Sequence, residues 1–442
     1  MGENQLENRP QTLTPKGFQD SEGVEDWRVL GAGAAAWFGA TSHSAGAALA
    51  ARVAEVAGGL AVDVSVRSQG VQVRLPLGPT DQGFSDAHVA AARAVSAAAA
   101  QLALTADPAV PQDLQLTMDS MDQAAIMSFW EVALGYQPVG DDDLLDPLRR
   151  RPPIWFQDQD APRPLRNRLH LDSVLPQEVA VATLQTLRER GASSVADNGY
   201  YATVADAEGN EVDVLPLPEG QGRWPGAETE DWRLVFSAMA CYPVGSAEQG
   251  AELVRAVAAL ADEAGLALEI DLRPGVVVLD SGKDGWEMND GYEPLAAKVQ
   301  EAARGMGLTA DVMLPRFTQI GIDAVDVPAV REFWRVALGY EEDPREGLTD
   351  IVDPRQLNVP VFIQPMDASD EARRAQRNRI HVDLFLPSDQ LEARLEAALA
   401  AGGTVVRDEG PISWTVTDPE GNEIDLTTSV GREELWVAGG QG

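Results

Sequence analysis

The sequence predicts an α+β chain built by internal duplication, in the order A–B–A′–B′. Two observations carry this. Short motifs recur at nearly constant offsets, and the recurring segments alternate strand-like with helix-like patterning. EDWR at 25–28 returns at 230–233, and FWEVALGY at 129–136 returns as FWRVALGY at 333–340. LLDP at 144–147 corresponds to IVDP at 351–354, and DAEGNEVDV at 206–214 to DPEGNEIDL at 418–426. The expected layout is a disordered tail over 1–22, A over 23–108, B over 112–217, a Pro/Gly/Glu-rich linker over 218–230, A′ over 231–312, B′ over 313–428 and a tail over 429–442.

The 442 residues are too many for one core. With 34 Lys+Arg against 70 Asp+Glu the formal charge is −36, spread rather than blocked. Such a surface repels phosphate backbones and anionic lipid, so nucleic acid and membrane are poor partners. Cys241 is the single cysteine, which excludes an internal disulfide and zinc sites built from several thiolates. The polar N-terminus is no signal peptide, and no apolar run approaches the ~18 residues of a spanning helix. A cytoplasmic protein is expected.

In A, EDWR precedes an alanine-rich helix, a strand pair over VDVSVRSQGVQVRLP and a second alanine-rich helix. GAGAAAWFGA at 31–40 lacks the helix that a phosphate-binding glycine loop requires. In B, QLTMDS alternates as a strand, and DQAAIMSFWEVAL has helical spacing with Gly135 as its stop. IWFQ and NRLHLDS are strands, QEVAVATLQTLRERGA is a helix, and YYATVAD and EVDVL form a hairpin around Gly209-Asn210. B′ repeats this order, with its turn at Gly421-Asn422 and its helix stop at Gly339.

Two of the four histidines occupy the same place in RNRLHLD (166–172) and RNRIHVD (377–383). Strand alternation puts Arg168, His170 and Asp172 on one face and Leu169 and Leu171 on the other. Arg379, His381 and Asp383 repeat the pattern, so both trios are expected to contact a ligand. The residues alone leave three roles open for the histidine: metal ligand, ligand contact, or a partner of Asp172 or Asp213. His43 and His88 read as surface residues of helices. Trp155 and Phe362 fall near the cleft strand, and Phe129, Trp130, Phe333 and Trp334 read as helix-to-sheet packing.

The FW…ALGY element, the NRLHLD strand and the D-x-E-G-N-E ending together resemble the vicinal oxygen chelate superfamily, in its glyoxalase-like, bleomycin-resistance-like branch. The resemblance implies paired βαβββ modules within each B copy, curled into an open cup with helices outside and a ligand cleft inside. Its metal positions carry over to Gln115, Gln157, His170 and Asp213, and in B′ to Gln319, Gln364, His381 and Asp425. The metal implied is divalent: Mn, Fe, Ni or Zn. An imidazole and a carboxylate are good ligands, whereas two amide oxygens are weak and uncharged. A and A′ are similar to the pterin-4a-carbinolamine dehydratase fold, but GGLAVDV and AGLALEI stand where that family has its histidine pair.

The expected function is binding of a small organic molecule, in the manner of bleomycin-resistance proteins. The alternative is a divalent-metal-dependent lyase, isomerase or dioxygenase of the same superfamily. A 4a-hydroxytetrahydrobiopterin dehydratase is disfavoured because its imidazoles are missing. No catalytic residue is assigned. The expected partner is a small-molecule ligand, and the assembly either a monomer with internal pseudo-symmetry or a homodimer.

Overall fold

The computed structural model describes residues 12–432 apart from Ala32, Pro79, Thr80 and Gln82. The strands form three sheets, one of nine strands and two of eight. The nine-stranded sheet joins A to A′, because strand Asp63–Arg67 pairs antiparallel with strand Glu269–Arg273, Val64 facing Leu272 and Val66 facing Ile270. Helices His43–Val56 and Ala247–Ala264 pack against each other over this seam. Glycines let both helices sit close on the sheet: a Cβ on Gly46 would lie 2.9 Å from Val66 Cγ1, and one on Gly250 would lie 2.5 Å from Leu272 Cδ1. The sheet's other face is polar, with Asp63, Ser65, Arg67, Gln72 and Arg74 continuing into Glu269, Asp271, Arg273 and Asp280.

His43 and His88 are buried rather than surface residues. His43 sits at the start of its helix and ties A to A′, with Nδ1 3.0 Å from Asp262 Oδ1 and Nε2 accepting from the Leu268 N–H at 3.2 Å. His88 Nδ1 accepts from the Ser85 N–H at 3.1 Å and closes a capping box at the start of helix Asp86–Gln101. The expected N-terminal tail is also partly structured. Helix Pro15–Gln19 places Phe18 against Phe84 with ring centroids 4.4 Å apart, and residues 429–432 pack near Gly31 and Thr427. Residues 1–11 and 433–442 lie outside the described residues.

Each eight-stranded sheet contains two βαβββ modules. Short strands Gln137–Val139 and Asp143–Leu145 in the first module of B, and Ser193–Asp197 in its second, are those that periodicity does not reveal. The modules do not pair within a copy, as the sequence suggests, but across copies. Strand Asp113–Ser120 of B pairs with strand Ile380–Phe385 of B′, setting Thr117 opposite His381 and Gln115 opposite Asp383. Strand Leu169–Val174 of B pairs with strand Phe317–Ala324 of B′, setting Gly321 opposite His170 and Gln319 opposite Asp172. Duplicated strands carry the same alternation, so local pattern cannot choose between the two pairings. Bonds between the halves decide it.

Arg168 and Arg379, expected as ligand contacts, make those bonds. Both are 1% exposed. Arg168 donates from Nη1 to the carbonyls of Arg373, Arg374 and Gln376, from Nη2 to that of Gly421, and from Nε to Asn422 Oδ1. Arg379 mirrors it onto the carbonyls of Arg163, Leu165 and Gly209 and onto Asn210 Oδ1. A guanidinium with five fixed donors suits a loop of backbone acceptors.

The other repeated motifs are structural too. Trp130 Nε1 donates to Asp206 Oδ2 at 2.9 Å and Trp334 Nε1 to Asp418 Oδ2 at 3.0 Å, joining FW to D-x-E-G-N. Glu208 and Glu420 accept backbone N–H groups at the entries to helices Gln123–Leu134 and Val327–Leu338. Gly135 and Gly339 end those helices at φ 65° and 68°, conformations that glycine adopts without a Cβ penalty.

Candidate metal and ligand site

Strand alternation turns His170 and Asp172 into one cup and His381 and Asp383 into the other. The parallel closing strands add Asp213, in register with Asp172, and Asp425, in register with Asp383. In each trio the ligand atoms lie within 4.8 Å of one another. They are too far apart to satisfy each other by hydrogen bonds. His170 Nε2 is 3.8 Å from Asp172 Oδ1, and His381 Nε2 is 3.6 Å from Asp383 Oδ1 and 4.0 Å from Asp425 Oδ2. The histidine is therefore not simply hydrogen-bonded to its neighbouring acids.

Gln115 and Gln319 orient these trios. Gln319 Nε2 donates to Asp172 Oδ2 at 2.7 Å. Gln115 Nε2 (3.1 Å) and Thr117 Oγ1 (2.8 Å) donate to Asp383 Oδ2. Gln157 and Gln364 turn away, each donating at 2.6 Å to another acid, Asp119 and Asp323. The four-ligand sets thus resolve differently from the sequence reading. Gln115 serves the His381 trio, Gln319 serves the His170 trio, and the second carboxylate of each trio is Asp383 or Asp172.

The buried atoms Asp172 Oδ1, Gln319 Oε1, His381 Nδ1, Asp383 Oδ1 and Asp425 Oδ1 have no hydrogen-bond partner among the described residues. Burial pushes Asp172 and Asp383 up to about 6 and raises Asp213 as well, because charge is costly where water is excluded. One imidazole and two carboxylates are sound donors for a divalent cation, which would remove that cost. These residues fit a metal better than the amide-rich sets did.

Thr117 beside His381 becomes Gly321 beside His170, where a Cβ would fall 2.2 Å from the imidazole Cε1. Phe362 meets the His170 ring edge-on, centroids 5.6 Å apart.

The two cups differ in access. A cavity of about 1650 Å³ lies between the polar face of the A–A′ sheet and the cups, and His381, Asp383 and Asp425 line it. His170, Asp172 and Asp213 are not among its lining residues. At that cup's mouth Val174, Leu215 and Phe317 pack on Val235, Met239, Cys241, Val276 and Val278 of A′. Phe317 also reaches the cavity, whereas Val174 and Leu215 do not; their counterparts Phe385 and Thr427 line it, as does Asp113, paired to Arg74. Burial pushes the Cys241 thiol up to about 12, which leaves it an unreactive packing residue.

The arginines after LLDP, which sequence reasoning passed over, build the cavity wall. Arg149 pairs with Asp63, and Arg150 reaches Asp271 at 2.5 Å and both Glu269 and Asp280 at 3.0 Å. Among the described residues no helix is long and apolar enough to cross a membrane.

A family model described as a glyoxalase-like domain matches residues 115–215 and 319–427. Among solved structures, glyoxalase I from Zea mays is similar at 9% identity and TM-score 0.38, over 75% of this chain and 98% of that one. A putative dioxygenase from Bacillus subtilis subsp. subtilis str. 168 is similar at 10% identity and TM-score 0.34, over 72% and 84%. The oxidase ChaP-H1 matches at 19% identity and TM-score 0.19, over 24% and 94%. No curated protein matches the chain. Residues 115–215 and 319–427 thus each match a glyoxalase-like domain, just under half of the chain in all.

Proposed function

We propose that this protein binds a small organic molecule in the His381 cup, beside a divalent cation held by His381, Asp383 and Asp425. The supporting observation is His381 Nε2 facing both acids, 3.6 Å from Asp383 Oδ1 and 4.0 Å from Asp425 Oδ2, with Asp383 Oδ1 and Asp425 Oδ1 buried and unpartnered among the described residues on the wall of a large cavity. When bound, the cation supplies Lewis acidity toward an oxygen of the ligand. Gln115 and Thr117 fix the far oxygen of Asp383, which keeps its near oxygen turned inward. His170, Asp172 and Asp213 would hold a second cation away from the cavity. Binding of the bleomycin-resistance kind and lyase, isomerase or dioxygenase chemistry would use the same trio. Turnover by metal-loaded protein separates them. A pterin dehydratase is not proposed, since His43 and His88 are committed to helix starts.

The test is elemental analysis of untagged protein after reconstitution with Mn, Fe, Ni or Zn. Two ions per chain are expected, with His381→Ala and His170→Ala each removing one. Metal no higher than in the double variant would refute the reading.

A further inference from the structure

The two cups also differ at one charged position. Lys283 follows strand Val276–Asp280 at the edge of the same cavity and turns toward the His170 cup, where its Nζ pairs with Asp350, both side chains 11% exposed, and its charge reaches Asp172. In the His381 cup the counterpart of Asp350 is Asp143, since DLLDP at 143–147 aligns with DIVDP at 350–354. The counterpart of Lys283 is Leu77. Arg74 faces Asp63 as Asp280 faces Glu269, and Leu77 and Lys283 each stand three residues further on. The acid is kept in both cups and the cation in only one.

The Asp143 side chain makes no hydrogen bond or ion pair among the described residues, although it lines the cavity with Leu77, Val139 and Leu145. Strand register puts it in one cross-strand row with Trp155, Thr117 and His381. Burial and the neighbouring Asp142 push its carboxyl up to about 7. At the other end of the row His381 is 4% exposed and Asp383 7%, with His381 Nδ1 and Asp383 Oδ1 unpartnered. The row thus has an uncompensated acid at one end, the His381 trio at the other, and Trp155 between them, its Nε1 bonded to Asp142 at 3.3 Å.

We infer that the His381 cup takes a ligand bearing an aliphatic ammonium group, seated on Asp143 as the Lys283 ammonium is seated on Asp350 in the sister cup. The inference rests on the reading of the His381 cup as the ligand cup, and it names the ligand's class. Leu77, Val139, Leu145 and Trp155 offer apolar contact to the carbon chain next to the ammonium. Lys283 acts as a built-in occupant of the other cup.

The probe is n-pentylamine, titrated into the full chain by calorimetry, with 1-pentanol as its neutral control. One site per chain is expected, with the amine bound about tenfold or more tighter than the alcohol. Asp143→Asn should remove that preference, and Leu77→Lys should abolish amine binding by placing a lysine in the cup. Lys283→Leu should raise the stoichiometry from one to two. If that variant does not fold, Asp143→Asn and Leu77→Lys decide the matter. Equal affinity for amine and alcohol, or a preference that survives Asp143→Asn, would overturn the inference. Metal content measured on the same samples keeps the two ideas apart: absence of metal counts against the proposed function, and indifference to the amine with metal retained counts against this inference alone.

Discussion

Asn167 Oδ1 accepts the backbone N–H of Arg379 at 2.9 Å, and Asn378 Oδ1 accepts that of Arg168 at the same distance. The two halves are thus clasped by the same bond made twice. The guanidiniums reinforce it. Arg168→Met or Arg379→Met would strand several buried carbonyls and should cost about 3 kcal/mol or more. The urea midpoint measures this, and a change under about 0.5 kcal/mol, typical of an exposed side chain, would contradict the clasp.

Gly321 is where the His170 imidazole meets the opposite strand. Gly321→Ala would force the ring aside at a cost of about 1–3 kcal/mol. Metal content should fall from two ions to one, with the His381 trio still loaded. Unchanged stoichiometry would mean that the ring can move without losing its ligand role.

Asp172 and Asp383 give the metal a pH signature. Burial holds both up to about 6 in the folded chain, against an ordinary value of 3.8. Between those values the folded chain carries more protons than the unfolded one, so metal-free protein should lose stability as pH rises from about 4 to about 6. A cation that needs the carboxylates ionised runs the other way, weakening roughly tenfold per pH unit below 6 for each proton it displaces. The gain in thermal midpoint on loading should therefore be larger at pH 7 than at pH 5. An equal gain at both would place the cation elsewhere.

Trp334→Phe keeps most of the ring but removes the only indole N–H donor to Asp418, which is 3% exposed. A loss of about 1–3 kcal/mol is expected, with Trp130→Phe matching it through Asp206. Denaturant melts of the two variants should coincide. If only one is destabilised, the motif does not serve both copies alike.

Local features were legible in the sequence because their physics is local. Alternation around His170, the helix stops at Gly135 and Gly339, and the turns at Gly209-Asn210 and Gly421-Asn422 follow from period and backbone conformation. Partner choice was not legible, since strands Asp113–Ser120 and Phe317–Ala324 carry the same pattern. The bonds of Arg168 were hidden for a related reason. A polar residue next to a cleft strand reads as a ligand contact unless the loop it crosses to is known. Asp172 and Asp383 were placed on the right face but not among the candidate metal positions, because that depends on which glutamine bonds their other oxygen. The importance of Asp143 depends on Lys283, which lies in a different sheet's neighbourhood and 140 positions away.

The crossed pairing of the modules changes what the segment between the halves does. Pro218–Gln221 are exposed. They are not needed to build either cup, only to keep two interlocked bodies at high effective concentration. A protease cut there should leave a tight heterodimer with both trios intact. Each copy is then half of every cup, and selection on either cup acts on both copies at once.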